Sequence, residues 1–265
     1  MTELPFAKKA LGQHWLTDSA ALAAICDAGQ VSPGDHVLEI GPGTGTLTEF
    51  LLAAGAHVTA VELDKSLAGA LSNRFSDSRF YLIEQDILKF DFGSLPPGYK
   101  VVANIPYYLT SNLIRVLSET SNQASRVVLL VQKEVAERVG AKPGGMSLLS
   151  VSAQFYWEVL LGLEVPARLF TPPPKVDSQI LILERRNQPL FPLVDEKVFF
   201  QLVKAGFAAR RKTLLNSLAG GLRTDKTVVQ AVLDEAYILS DLRPQTLSLE
   251  QWHMLYLAAR TQGLL

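Results

Sequence analysis

The chain has 265 residues, of which 48% are apolar and 19% are charged, and its formal net charge is −1. This length suits one large domain, or one α/β domain with a small appendage. The balanced charge argues against a globally basic nucleic-acid binder, so any RNA-binding surface must be a local patch. The single cysteine, Cys26, excludes an intrachain disulfide and makes a zinc cluster implausible.

Targeting and membrane segments are not expected. Residues 1–20 contain no uninterrupted apolar core of the kind that a signal peptide has. The longest tight apolar run, Val127–Val131, is far too short to span a bilayer. The sequence therefore predicts a cytoplasmic protein without a membrane partner, and we expect it to be a monomer.

Short β-like runs alternate with helical patterns through the first part of the chain, after a predicted helix at Ser19–Ala28. The predicted strands are His36–Ile40, His57–Glu62, Phe80–Ile83, Lys100–Ala103 and Arg126–Val131. The predicted helices between them are Thr46–Ala54, Lys65–Phe75 and Thr110–Ser118. Strands this apolar at this spacing indicate a parallel sheet that helices cover on both faces. Two later runs, Val159–Val165 and Ser178–Arg185, predict an antiparallel pair that completes the sheet edge.

The composition changes at Asn187–Pro192, and the pattern beyond this segment is helical only. The predicted helices are Glu196–Ala208, Arg210–Leu218, Lys226–Glu235 and Ser248–Gln262. We therefore expect an α/β domain over residues 1–186 and a small all-helical domain over residues 193–265.

A glycine-rich turn stands between the first predicted strand and the helix that follows it. Residues 39–45 read Glu-Ile-Gly-Pro-Gly-Thr-Gly. Glycines let a backbone approach a ligand closely, and the following helix presents its free N–H groups there. A tight turn explains this segment equally well, and the alternating Gly41, Gly43 and Gly45 lack the spacing that seats a dinucleotide.

Two acids make the glycine turn more informative. Glu62 ends the second strand, where a carboxylate can accept both hydroxyls of a ribose, although an ion pair with Lys65 is the alternative. Asp86 follows the third strand, where it can accept a hydrogen bond from an adenine amino group. Because the carboxyl ends of parallel strands meet at one edge of a sheet, these features converge. The sequence thus predicts a site for a nucleoside-bearing cofactor.

Residues 104–107 read Asn-Ile-Pro-Tyr and follow the fourth predicted strand. An amide, a rigid proline and an aromatic ring at the end of a strand can hold the edge and the face of a flat, amine-bearing ring. Taken singly, Asn104 could be a turn-forming residue and Tyr107 a core aromatic. Beside a nucleoside site, the two residues favour methyl transfer to the exocyclic amine of a nucleobase.

Adenine N6 is a poor nucleophile because its lone pair is delocalised into the ring. We expect the Asn104 side-chain oxygen and the Ile105 carbonyl to accept its two N–H groups and so to free that lone pair. Pro106 removes a competing backbone donor and stiffens the turn. Tyr107 would stack on the base, a contact worth about 1–3 kcal/mol in other complexes. No strong general base is needed, since orientation and fixed dipoles supply the catalysis.

Phe170 precedes the proline run at 172–174, which predicts a rigid extended loop able to hold this ring as a second stacking surface. The alternative is that Phe170 is a hydrophobic plug beneath the loop. A base held between Tyr107 and Phe170 must be single-stranded or flipped out of its helix.

The chain resembles the ribosomal RNA adenine dimethyltransferase family, and within it the bacterial branch that modifies the small subunit. The matching stretches are Lys8–Leu16, Glu39–Thr48, Asn104–Ser111, Pro172–Ser178 and Phe207–Leu218. The resemblance implies a Rossmann-like class I methyltransferase sheet, S-adenosylmethionine as the methyl donor and no metal. It implies, as target, the N6 amines of two adjacent adenosines in a hairpin loop near the 3′ end of 16S ribosomal RNA, within a partly assembled small subunit.

The resemblance also implies which residues contact the donor. They are His14, Leu16, Gly41, Gly43, Glu62, Asp86 and Asn104. His14 departs from the family pattern, because relatives often carry Gln-Asn-Phe-Leu where this chain has Gln-His-Trp-Leu. Capping of the helix that follows is the alternative role for His14.

The helical domain at 193–265 is predicted to bind RNA, and two basic clusters are candidate RNA contacts. Arg210, Arg211 and Lys212 stand at the junction of two predicted helices, and we expect them to fan around a helix. Lys8 and Lys9 form a second basic point near the donor site. A solvated helix end is the alternative for the first cluster, and the resemblance favours phosphate contact for both.

Other functions remain open at the level of sequence. One is a dimethyltransferase of the antibiotic-resistance type that acts on large-subunit RNA. Another is a non-catalytic ribosome-assembly factor that retains the fold, and a dinucleotide oxidoreductase is the last.

Overall fold

The computed structural model describes residues 7–8, 11–188, 190–209 and 211–265. Two of the candidate RNA contacts, Lys9 and Arg210, lie outside the described residues. The chain divides into two compact units. The first holds the described residues through Glu137 together with Trp157–Arg185, and the second holds Arg138–Tyr156 together with the described residues from Arg186 onward.

The first unit is built on a seven-stranded sheet. The strands of this unit are β1 (Trp15–Leu16), β2 (His36–Ile40), β3 (His57–Glu62), β4 (Phe80–Glu84), β5 (Lys100–Asn104), β6 (Arg126–Gln132), β7 (Trp157–Val165), β8 (Phe170–Thr171) and β9 (Ser178–Arg185). The sheet order is β4-β3-β2-β5-β6-β9-β7, and β1 pairs separately with β8. Strands β2 to β6 are parallel, whereas β9 runs antiparallel to both β6 and β7. The predicted parallel sheet with an antiparallel pair at its edge is confirmed.

Helices pack on this sheet through their apolar stripes. They are α1 (Ser19–Ala28), α2 (Thr46–Ala53), α3 (Lys65–Arg74) and α4 (Thr110–Glu119), and α5 (Lys133–Val139) runs across the boundary of the unit. Helix α1 shows the principle, because Leu22 and Ile25 lie three residues apart and are buried in the same apolar cluster as Val128 of β6. The centre of β6 is completely buried, as expected for a strand that is covered on both faces.

The second unit is helical in its described residues. It contains α6 (Leu148–Tyr156), α7 (Glu196–Phe207), α8 (Leu214–Leu222), α9 (Lys226–Glu235) and α10 (Leu249–Thr261). Its core surrounds the fully buried Phe199 and Trp252. We expected residues 138–156 to belong to the first domain, but the structure groups them with the second unit. The reason is that α6 contributes Val151 and Phe155 to this core.

Helix α8 begins later than the sequence predicts, at Leu214 rather than Arg210. Its first amides are satisfied from a distant loop, because the Leu214 and Leu215 amides donate to the carbonyls of Leu242 and Ser240. Lys212 therefore lies in the connection before the helix, with its backbone amide donating to the Ala209 carbonyl, and the two described members of the cluster, Arg211 and Lys212, do not fan around a helix.

No helix of the described residues is both long enough and apolar enough to cross a membrane.

The packing of α7 against α8 makes a prediction about two neighbouring glycines. A Cβ on Gly221 would lie 2.6 Å from the Ala205 Cα, whereas a Cβ on Gly220 would meet nothing within 4 Å. We expect Gly221→Ala to lower the free energy of unfolding by roughly 1–3 kcal/mol through overpacking. Gly220→Ala, the matched control, should raise it by about 0.5–1 kcal/mol through lower backbone entropy in the unfolded chain. Denaturant unfolding measures both, and equal effects of the two substitutions would contradict this account of the contact.

Candidate active site

Four features of the first unit meet at one edge of the sheet. The parallel registers of β2 with β3 and β5, and of β3 with β4, set their carboxyl ends side by side. The glycine turn follows β2, Glu62 ends β3, Asp86 lies just past β4 and Asn104 ends β5. A cavity of about 350 Å³ opens at this edge. The structure thus brings together the parts that the sequence assigned to a single site.

All the residues predicted to contact the donor or the target base line this cavity. They are His14, Leu16, Gly41, Gly43, Glu62, Asp86, Asn104, Ile105, Pro106, Tyr107 and Phe170. The described members of the basic clusters do not line it. Arg211 and Lys212 belong to the second unit, and Lys8 forms an ion pair of 2.8 Å with Asp64.

The glycine turn places its backbone where a side chain cannot fit. Gly41, Gly43 and Gly45 all adopt positive φ, at 64°, 59° and 83°. At Gly43 a Cβ would lie 2.8 Å from the ring of Trp15. The Gly43 amide donates to Glu62 Oε2 at 3.1 Å, so the turn is bonded directly to the end of the next strand.

Glu62 is buried but keeps capacity for a ligand. Its Oε2 accepts from Gly43, and its Oε1 accepts from the Asp64 amide at 2.9 Å. Burial raises the pKa of this carboxyl, although these backbone hydrogen bonds oppose the rise. A carboxylate offers about four acceptor positions, more than these backbone hydrogen bonds occupy, so acceptor capacity remains for a ligand. The alternative ion pair is wrong, because Lys65 pairs with Glu84 instead, at 3.4 Å.

Asp86 lies between the end of β4 and a short 3-10 helix, Ile87–Lys89. One carboxylate oxygen, Oδ1, accepts from the Leu88 amide at 3.0 Å and caps this helix. The residue is half-buried and lines the cavity, and its second oxygen is an acceptor on the same side chain. The arrangement fits an acceptor for an amino group.

Glu39 is a site residue that the sequence reasoning did not single out. It is 1% exposed, lines the cavity and accepts a hydrogen bond of 2.6 Å from the Thr48 hydroxyl. Burial, with a smaller contribution from the negative charge of Glu62, raises its pKa to about 8 despite the Thr48 bond. An acid inside the otherwise apolar run of β2 was the signal for it in the sequence.

The Asn104–Tyr107 segment combines one free polar group with one fixed ring. The side-chain amide of Asn104 has no hydrogen-bond partner among the residues that the structure describes. The Tyr107 hydroxyl is 2.8 Å from Ser178 Oγ on β9, which fixes the ring. Burial raises the pKa of Tyr107, so the phenol stays neutral. A free amide beside a fixed aromatic ring suits recognition of a planar base.

His14 directly precedes β1, and Phe170 is the first residue of β8, the strand that pairs with β1. Leu16 pairs with Phe170, and His14 Nδ1 lies 2.7 Å from the Pro172 carbonyl. Because a carbonyl only accepts, Nδ1 must carry the proton. The imidazole also stacks on Tyr107, with ring centroids 6.0 Å apart. The capping alternative for His14 is wrong, since Asp18 caps α1.

Phe170 combines features of both of its predicted roles. Its ring is 3% exposed and belongs to the same apolar cluster as Leu16, as a plug would. It also lines the cavity, so it forms part of the wall and does not project from it.

An aromatic residue that the sequence reasoning missed, Tyr108, lines the same cavity and is 62% exposed. It is far more exposed than the neighbouring Tyr107, whose hydroxyl is bonded to Ser178.

Lys8 is held by a polar cluster at the start of α3. Its ammonium contacts Asp64 and Ser66, and Gln13 Nε2 donates to the other oxygen of Asp64. Burial acts to raise the pKa of Asp64, but these hydrogen bonds outweigh it and hold the pKa well below its usual range. The Lys8 charge is therefore already neutralised within the protein.

The described part of the chain contains no group of three or more histidine, cysteine, aspartate and glutamate side chains that could hold a metal ion.

Comparison with known proteins gives consistent matches over nearly the whole chain. The model of the family described as ribosomal RNA adenine dimethylase matches residues 6–259. Ribosomal RNA small subunit methyltransferase A of Dehalococcoides mccartyi is 44% identical over 256 residues, which cover 95% of this chain and 88% of that protein. The protein of the same name from Synechococcus sp. is also 44% identical, over 94% of this chain and 91% of its own length.

Two solved structures share the fold of both units. A dimethyladenosine transferase from Plasmodium falciparum superposes with a TM-score of 0.81 at 26% identity, over 94% of this chain and 98% of that one. The 23S rRNA methyltransferase ErmE superposes with a TM-score of 0.73 at 28% identity, over 92% of this chain and 98% of its own.

The buried Glu39 predicts a pH-dependent stability. Folding raises its pKa from a usual value of 4.5 to about 8, so the folded protein holds a proton there that the unfolded chain releases. This contribution to stability is full below about pH 4.5 and is lost as the pH rises through 8. Glu39→Gln keeps an acceptor for Thr48 without the ionisation. We expect the unfolding temperature of the unchanged protein to fall, relative to this variant, between pH 5 and pH 8. If the unfolding temperatures of the two proteins change in parallel with pH, the raised pKa of Glu39 is contradicted.

Proposed function

The chain belongs to the ribosomal RNA adenine dimethylase family, and we propose that it dimethylates N6 of two adjacent adenosines in a hairpin loop near the 3′ end of small-subunit (16S) ribosomal RNA. The observation that carries the choice of subunit is the 44% identity, over 95% of the chain, with a relative named for the small subunit. The free Asn104 amide at the cavity supports the chemistry.

The cavity fits the methyl donor of this family, S-adenosylmethionine, by its volume and by its polar groups. Its volume of about 350 Å³ lies in the range of ligand sites. When bound, the donor supplies a methyl group on a sulfonium, which is already activated. We assign the ribose hydroxyls to the open acceptor positions of Glu62 and the adenine amino group to Asp86. The backbone at Gly41 and Gly43 and the side chain of Leu16 complete this part of the site.

The target base requires acceptors that hold both of its N–H groups. We assign the Asn104 side-chain oxygen and the Ile105 carbonyl to this role, because the amide is not engaged elsewhere in the described residues. Tyr107 would stack on the base from a position that its bond to Ser178 fixes. Pro106 stiffens the turn, and Phe170 forms the wall behind it. Catalysis on this proposal is orientation and fixed dipoles, without a general base.

The substrate form that we propose is a partly assembled small subunit, on which the protein acts as a monomer in the cytoplasm. The net charge of −1 supports a structured target, because 25 lysines and arginines are balanced by 26 acids and create no global positive field to hold free RNA. We retain Arg211 and Lys212, which are exposed, as RNA contacts. Lys8 is a weaker candidate because Asp64 already neutralises it.

Mass mapping of methylated adenosines tests the proposed reaction. We expect dimethyladenosine at two adjacent positions of small-subunit RNA after incubation of the protein with the donor and assembling subunits. Asn104→Ala should lower kcat by at least about 100-fold, as the loss of a preorganised polar group does, while RNA binding persists. Asn112→Ala, at an exposed position on α4, is the matched control. Methylation confined to large-subunit RNA would instead support the activity for which the 23S rRNA methyltransferase ErmE is named. Near-normal dimethylation by Asn104→Ala would refute the mechanism assigned to Asn104.

His14 makes a separate prediction, because its partners connect both walls of the base site. We propose that it positions the segment after Phe170 against Tyr107 through the Pro172 hydrogen bond. His14→Phe keeps a ring beside Tyr107 and removes that bond, whereas His14→Asn keeps a donor and removes the ring. We expect His14→Phe to raise KM for RNA more than His14→Asn does, with donor affinity unchanged in both variants. If equilibrium titration shows weaker donor binding at unchanged RNA KM, His14 belongs to the donor site.

A further inference from the structure

A groove in the second unit lies between α7 and α8. None of its lining residues also lines the cavity at the sheet edge. The groove has a volume of about 410 Å³, and its lining residues are Lys197, Gln201, Lys204, Ala205, Ala208 and Gly221. Positions 197, 201 and 204 recur with helical spacing, so these three side chains form one exposed face of α7. The opposite face of the helix carries the buried Phe199 and Leu202.

The two lysines of the groove carry free charges. No carboxylate of the described residues forms an ion pair with Lys197 or Lys204. The neighbouring acids have other partners, because Asp195 caps α7 through the Val198 amide and Glu196 accepts from the Tyr156 hydroxyl at 2.6 Å. Both ammonium groups on this face of α7 are therefore without a direct carboxylate partner among the described residues.

The floor of the groove is backbone and methyl groups. Gly221 packs so closely on Ala205 that a Cβ would lie 2.6 Å from its Cα. The close contact at these small residues therefore leaves a floor without long side chains, and Gln201 adds an exposed side-chain amide between the lysines. Among the residues that the structure describes, the lining contains no aromatic or branched apolar side chain of the kind that anchors protein partners and small ligands. A polyanion with a narrow backbone fits this chemistry.

We propose that this groove binds the phosphodiester backbone of the RNA substrate, as an anchoring contact additional to Arg211 and Lys212. The inference rests on the proposed function for the identity of the RNA. Lys197 and Lys204 are seven residues apart on one helix, a separation of about 10.5 Å along its axis. The two ammonium groups thus contact different phosphates, and the Gln201 amide donates between them.

Charge-neutralising variants test the groove. Lys197→Gln/Lys204→Gln removes two cations with little change in helix propensity. Lys226→Gln/Arg260→Gln removes two exposed cations of the same unit that do not line the groove, and it is the matched control. Gln201→Glu adds a negative charge between the lysines. The measurements are affinity for assembling small subunits and for their naked RNA as a function of salt, with donor affinity and unfolding temperature as checks of the fold.

We expect the groove double variant to have a shallower salt dependence than the control. Two lost phosphate contacts correspond to about a tenfold smaller loss of affinity between 50 and 200 mM salt. Gln201→Glu should weaken RNA binding in the same direction, with donor affinity unchanged in every variant. If the unchanged protein methylates small-subunit RNA but the groove and control variants bind alike, the groove inference is wrong and the proposed function stands. Weaker binding to subunits but not to naked RNA would show a protein occupant and would also overturn the inference. If the unchanged protein does not modify small-subunit RNA, the proposed function itself fails.

Discussion

The hydrogen bond from the Gly43 amide to the Glu62 carboxylate joins the two strands on which the rest of the site is built. A carboxylate that is 6% exposed requires donors, since an unsatisfied buried charge is strongly unfavourable. The glycine turn can supply one only because its backbone is left-handed and because nothing larger than hydrogen fits beneath Trp15. One arrangement therefore satisfies the buried acid, fixes the turn after β2 and leaves acceptor positions facing the cavity.

The parallel register extends this constraint to the residues assigned to the chemistry. Strand β5 pairs with β2, so Asn104, the last residue of β5, lies at the same sheet edge as the glycine turn without a direct bond to it. The polar groups there divide into two kinds. The Tyr107 hydroxyl, His14 Nδ1 and both Glu62 oxygens already have protein partners, whereas the Asn104 amide has none in the described residues. Fixed walls around one free amide are what orientation-based catalysis requires, because little reorganisation remains when a base binds.

The sequence predicted the sheet well because its information is local: β2, β3 and β9 begin and end at the predicted residues, and each is an apolar run between turn signals. Features that depend on distant contacts were missed. The pairing of β1 with β8 joins two-residue segments that have no periodicity, and the start of α8 depends on carbonyls from the loop at 240–242. Gly220 and Gly221 favour an early end to that helix, yet packing on Ala205 carries it to Leu222. For the site, the motifs at the ends of the predicted strands identified the residues that line the cavity. The partners of Lys8 and His14, which are Asp64 and Pro172, are distant in the chain and could not be predicted from residue spacing.

The distribution of charge limits how this protein can recognise RNA. In the first unit Asp64 neutralises Lys8, while the cations on α7 and in the connection to α8 remain exposed. Non-specific affinity for RNA grows with the number of phosphates contacted, and a few separated cations supply only a small part of it. On the proposed function, free RNA would be held weakly, and stable binding would require a folded target that presents several phosphates to these positions at once. On that proposal, selection of the substrate by its shape and selection of the base by the cavity would be separate steps, and a flipped adenosine on the wrong RNA would fail the first of them.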